Sequence, residues 1–306
     1  MSALLLLILC LIAGVLLRRC GRLSDDAPAT LNAYVINLAL PALALHHLHS
    51  ATLSADLVFG AAGAWVMFGC AAMFFGYIAR WAHLDAASTG ALVLTGGLAN
   101  TSFVGLPMIE AWIGPGQAMA QGIVIDQLGS YLALSTLGLL LAAQYSGQPL
   151  STSAVGRRIV SFPPLIALAA ALVLKPIAFP ALLDDALLRL GSTVAPVALL
   201  SVGCQLRLGD VRGRGWALLW GLSYKLIVGP ALVLLGCVLL WHGHGPSTDL
   251  ARDVVVFEAA MGPMIGAAVV AGHFKLDARV AAQMVGIGVP LSMAVAPLWL
   301  AAERAV

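Results

Sequence analysis

The chain has 306 residues, 61% hydrophobic and only 10% charged, with a formal net charge of +2 and a mean hydropathy of +0.97. Soluble domains carry about 25% charged residues, so this balance argues against a water-soluble enzyme. It also offers no basic footprint for nucleic acid, and its apolar content excludes disorder. What remains is an all-α polytopic protein of the lipid bilayer. At roughly 20 apolar residues per span, ten spans would use about 200 residues and leave only short loops.

Ten apolar segments follow one another at about 3–17, 27–48, 55–79, 86–112, 117–143, 159–178, 182–206, 215–241, 250–273 and 278–301. Their length and their internal Gly and Pro favour helices over outer-membrane strands. The first is expected to be a retained span rather than a cleaved signal, because Arg18, Arg19 and Arg22 follow it instead of preceding it. The second ends in His46, His47 and His49, which lack an acidic neighbour in sequence and read as a water-facing loop, not a metal site. The longest break, from Gln144 to Arg158, divides the chain into a first half at 1–145, a linker at 146–158 and a second half at 159–306. The cysteines form no CxxC or Cys/His spacing and are expected to be inert apolar residues. Neither a metal nor a resident cofactor is expected.

Arginine and lysine set the orientation. The odd-numbered loops hold Arg18, Arg19, Arg22, Arg80, Arg157, Arg158, Arg207, Arg212, Arg214, Lys275 and Arg279, which is eleven. The even-numbered loops and the C-terminus hold Lys175, Arg189, Arg252 and Arg304, which is four. Eleven against four places the odd loops in the cytoplasm and both termini outside.

The halves echo each other. Pro41 and Pro196, each in an Ala/Leu-rich run, lie 155 residues apart; Pro107 and Pro263 lie 156 apart; Gln121 and Gln283 lie 162 apart. This near-constant offset maps the first five spans onto the last five. Because five is odd, the two halves enter the membrane from opposite sides, which is an inverted repeat. Pro41 and Pro196 are then matched structural breaks.

The fourth and ninth spans carry the strongest helix-breaking signals, at Gly96 to Pro107 and Glu258 to Gly266. Broken backbone at mid-membrane is tolerated only where it is buried in protein or lines a wet cavity. Half-helix N-termini there present partial positive charge to an anion. The candidate substrate-binding residues are Asn100, Thr101, Ser102, Gly105 and Pro107 in one break, with Met261, Gly262 and Pro263 in the other. The alternative is a pair of kinked packing helices with no ligand. Asp126, Lys225 and Glu258 fall inside spans, where charge is costly and marks function by default. They are candidates for coupling or substrate charge, or else for a structural ion pair of Lys225 with Glu258 or Asp126. Glu110 belongs near the outer mouth.

These residues resemble the auxin efflux carrier family. Leu98 to Pro107 is similar to that family's glycine–asparagine…glycine–x–proline stretch. Arg19 to Ser24, Leu31 and Asn32, and Ala39 to Leu43 are similar to its opening; Ala195 to Gly203 resembles its seventh span and Ala259 to Pro263 its ninth. The sequence departs from the family at Ala99, Ser102 and Gly262. The resemblance, which covers nearly the whole chain, implies ten helices in two inverted five-helix repeats, with helices four and nine crossing. It also implies transport of a small organic anion, such as a mono- or dicarboxylate or an auxin-like acid. The short linker between halves resembles bacterial members, and hence a multi-pass protein of the inner membrane.

The leading expectation is a secondary transporter working by alternating access. No phosphate-cradling GxxxxGKS loop exists for ATP drive, and no HExxH or GxSxG supports an intramembrane enzyme. A receptor or scaffold is the third reading. Proton coupling, sodium coupling and uniport stay open, as do monomer and homodimer.

Overall fold

The computed structural model describes residues 2–51, 55–206, 215–241 and 245–305. Arg207, Arg212 and Arg214, used above for orientation, lie outside the described residues. Everything regular among the described residues is helical, apart from a single isolated bridge. The helices are α1 (Ser2–Arg19), α2 (Ala27–Ser50), α3 (Ala55–Trp81), α4 (Ala86–Gly97), α5 (Leu106–Trp112), α6 (Gln117–Ser146), α7 (Thr152–Val160), α8 (Pro163–Leu174), α9 (Ala181–Gln205), α10 (Gly215–Leu240), α11 (Pro246–Ala259), α12 (Ile265–His273) and α13 (Ala278–Glu303). Six helices among the described residues are long and apolar enough to cross a membrane, and α7 with α8, bent by 53°, makes up to seven. The four short helices α4, α5, α11 and α12 come from the two segments that the sequence shows as broken.

Three local outcomes depart from expectation. The 146–158 linker is not merely a loop: Ser151 accepts a hydrogen bond from the Ala154 amide and starts α7, which carries Arg157 and Arg158. Pro41 does not break its helix. A wide turn over Val35–Ala39 precedes it, and this loosened hydrogen-bond spacing accommodates the missing amide. Pro196 stands in the first turn after a kink at Ser192 and Thr193, where no amide donor is needed.

Backbone contact holds the outer layers together. A methyl on Gly14 of α1 would collide with the Leu200 carbonyl of α9, and one on Gly203 would collide with the Leu11 carbonyl. Such glycines let helices approach without a polar bond. The pairing of α1 with α9 is mirrored by that of α8 with α2. Likewise, α6 packs on α11 while α13 packs on α4. At one end, Arg252 pairs with Glu303 at 3.0 Å and Arg304 with Asp253 at 2.6 Å, tying α11 to α13.

Candidate functional site

The two breaks meet. Ala99 and Pro263 form the antiparallel bridge. The Asn100 amide donates to the Gly262 carbonyl at 2.8 Å, and the Met264 amide donates to the Leu98 carbonyl at 3.0 Å. Each break thus supplies partners for backbone groups freed in the other, which is how non-helical chain survives buried among helices. Gly262 is required by close approach: an added Cβ would lie 2.7 Å from the Cα of Val289 in α13. Pro107 occupies the first turn of α5, while Met261 is fully buried packing.

Polar residues cluster on the fourth-span side. Asn100 is 1% exposed. Its Oδ1 accepts from the Phe103 amide at 3.3 Å, capping the turn Thr101–Gly105. Its Nδ2 has no hydrogen-bond partner in the protein. The hydroxyls of Thr101 and Ser102 both donate to Oδ1 of the buried Asp126 in α6. Lys225 of α10 is 0% exposed, and its Nζ donates to the Ala259 carbonyl at 2.8 Å. It therefore sits at the C-terminal end of α11, where the helix dipole favours a cation, rather than hydrogen-bonded to Glu258 or Asp126. Glu258, also in α11, is 1% exposed. Both of its oxygens lack a hydrogen-bond partner. Its carboxylate rests against the bare Cα of Gly105, where a methyl would strike it. Asp126 and Lys225 are close enough to act on it electrostatically. Glu110 is exposed.

A cavity of about 270 Å³ lies against the breaks, lined by Asn100, Ser102, Phe103, Tyr131, Arg158 and Met264 among others. Tyr131 stacks on Phe162, with ring centroids 3.4 Å apart and planes at 8°, and its hydroxyl donates to the Arg158 carbonyl at 3.2 Å. Sequence reading missed Phe103, Tyr131, Arg158 and Met264 as site residues. In the sequence Arg158 carries only an orientation signal, and nothing local distinguishes Tyr131 from packing. A second cavity, of about 400 Å³, lies on the other flank of α12 and is lined by Arg18, Asp26, Asn32 and Gln205, among others.

The histidines differ from expectation. His46 Nδ1 lies 2.8 Å from Asp184 Oδ1, an acidic partner supplied from α9 and invisible to local sequence, and His47 is buried. No group of three or more metal-ligating side chains forms among the described residues.

A family profile described as membrane transport protein matches residues 1–300. An uncharacterized transporter of Methanothermobacter thermautotrophicus is 29% identical over 291 residues, covering 94% of this chain and 92% of the relative. An uncharacterized transporter of Methanocaldococcus jannaschii is 24% identical over 312 residues, covering 98% and 97%.

Proposed function

The chain belongs to the membrane transport protein family, that of the auxin efflux carriers, and from this premise we propose that it is a secondary transporter for a small organic anion, bound where the two broken segments meet. The observation that carries this reading is the Nδ2 of Asn100. It is a buried donor without a partner, on a residue that lines a cavity at the start of a half-helix. An unpaired buried donor is costly, and a carboxylate in the cavity would satisfy it. The half-helix terminus adds partial positive charge, and Arg158 adds the cation that draws an anion inward. Phe103, Tyr131 and Met264 offer an apolar wall for the body of the acid.

The architecture of this reading is ten spans in two inverted repeats of 1–145 and 159–306, joined by the linker that holds α7. The exchange-related pairings α1–α9 and α8–α2, with α6–α11 and α13–α4, support it. Both cavities are lined by residues of odd-numbered loops, Arg18 and Asp26 in one and Arg158 in the other. With those loops in the cytoplasm, this conformation opens inward, and transport proceeds as the halves rock about the fixed crossing. The membrane is a bacterial inner membrane with both termini outside.

Whole-cell uptake of labelled mono- and dicarboxylates tests the function. A cytoplasm-dependent reporter fused after Val306 tests the orientation and should be silent. Uptake equal to that of empty cells for every acid, with expression verified, would sink the substrate class. An active reporter would sink the inverted topology.

A further inference from the structure

On the face of the Thr101–Gly105 turn away from the Asn100 cavity lies a third, much smaller space of about 10 Å³, lined by Thr101, Ser130, Glu258 and otherwise apolar or small residues such as Gly60 and Ala99. That is roughly the volume needed by one water-sized particle. The Glu258 carboxylate borders it with neither oxygen hydrogen-bonded. Ionised, such a group needs donors or a cation; protonated, its O–H needs an acceptor. Among the described residues neither oxygen has a hydrogen-bond partner, and Lys225 acts on the carboxylate only through space. Gly105 keeps this face clear, because a methyl there would occupy the carboxylate's position.

Charge balance points the same way. Asp126, Glu258 and Lys225 are all buried, two carboxylates against one ammonium. Lys225 gives its hydrogen bond to the Ala259 carbonyl, and Asp126 is satisfied by the Thr101 and Ser102 hydroxyls. Glu258 is left as the carboxylate without a hydrogen bond, the cluster as a whole carries one excess negative charge, and an uncompensated buried charge is strongly unfavourable. One monovalent cation brings the cluster to neutrality, whereas a divalent ion would overshoot. The polar side chains that line the space, Glu258, Thr101 and Ser130, all offer oxygen, which suits a hard cation.

We propose that the small cavity beside Glu258 binds a single alkali cation of the size of Na⁺, and that this ion is coupled to the anion site through the turn Thr101–Gly105. The proposal rests on the transporter reading above for its purpose. Thr101 lines the small cavity, Gly105 backs the Glu258 carboxylate, and Asn100 and Ser102 line the larger cavity, so one short segment borders both. An ion that orders this turn raises anion affinity, and by linkage the anion raises ion affinity by the same factor.

The test is binding of radioactive sodium to the purified full-length protein, with sodium chloride as the only ligand and choline chloride holding ionic strength constant. Saturable binding of one Na⁺ per chain is expected, competed by Li⁺ and not by choline, and weakened by about tenfold or more in Glu258→Gln. Thr101→Val provides a second variant if Glu258→Gln does not fold, and the wild-type measurement stands without either. Absence of saturable sodium binding to folded wild-type protein across neutral pH overturns the proposal, as does wild-type affinity in Glu258→Gln. A thermal stability that follows pH but ignores sodium overturns it too, since the occupant is then a proton. No organic anion is present, so the outcome is separable from the substrate reading: sodium binding without binding of any acid would keep the ion site and remove the anion site.

Discussion

The two breaks meet in the fold, with Pro107 and Pro263 lying 156 residues apart in the chain, yet they are chemically unlike. The fourth-span break is polar: Asn100, Thr101 and Ser102 are buried, capped or bonded to Asp126, and one donor is left over. The ninth-span break is Met261, Gly262, Pro263 and Met264, and its hydrogen bonds across the junction are backbone ones. A backbone crossing can therefore join two segments of which one carries buried polar side chains and the other close packing. The pairing needs only amides and carbonyls, which any sequence has; recognition needs side chains, and these need be present only once.

The comparison breaks most severely at Gly262. Gly262→Val places a branched side chain where even a Cβ would lie 2.7 Å from Val289 Cα and 2.9 Å from the Gly288 carbonyl. Backbone cannot yield as a flexible side chain does, so a loss of about 3 kcal/mol or more is expected. It would be read as a collapse of the monodisperse peak and melting temperature in detergent. A stable, active Gly262→Val protein would show that the ninth break is not packed as described.

Asp126→Asn probes the polar side with less damage. The amide oxygen can still accept from Thr101 and Ser102, so yield and melting temperature should stay near wild type. Removing the titratable charge should cut flux by about tenfold or more, the equivalent of about 1.4 kcal/mol, and flatten its dependence on pH. Normal transport across pH would return Asp126 to a structural role.

Asn100→Ala against Met264→Leu sharpens the contrast between the breaks directly. Loss of the amide should weaken substrate binding by roughly 1–3 kcal/mol, the usual effect for a bond to a charged group. The near-isosteric swap at Met264 should cost less than about 1.5 kcal/mol. Equal effects in a binding assay on purified protein would mean that recognition is shared by the two breaks.

The smallest expected effect is at Arg158, which is exposed. Arg158→Gln should lower affinity by about 0.2–1 kcal/mol, as for other screened surface charges, and should reduce the salt dependence of uptake. A larger loss that added salt does not diminish would place Arg158 in contact with the bound acid.

Much of this was legible in the chain. The apolar segments, the interruptions at Asn100–Pro107 and Met261–Pro263, and the odd charges Asp126, Lys225 and Glu258 all stand out. They do so because lipid penalises unpaired backbone and buried charge strongly enough to mark the sequence. The cap at Asn100 was also readable, since an Asn ahead of a helical turn acts through its neighbours three residues on.

Partnership was not legible, because it depends on residues distant in sequence. An ion pair was one reading of Lys225, yet its ammonium bonds the Ala259 carbonyl at the end of α11, 34 residues away. His46 finds Asp184 at a separation of 138. Pro41 and Pro196 look like breaks by residue type, but a widened turn before one and a helix start at the other absorb them. Local chemistry determines where a helix in lipid must stop and which groups cannot be left alone. Only the packed fold decides what those groups meet, since the satisfaction of a buried donor or charge is set by whichever element is brought against it, and at Glu258 the element brought there is a glycine that offers no partner at all.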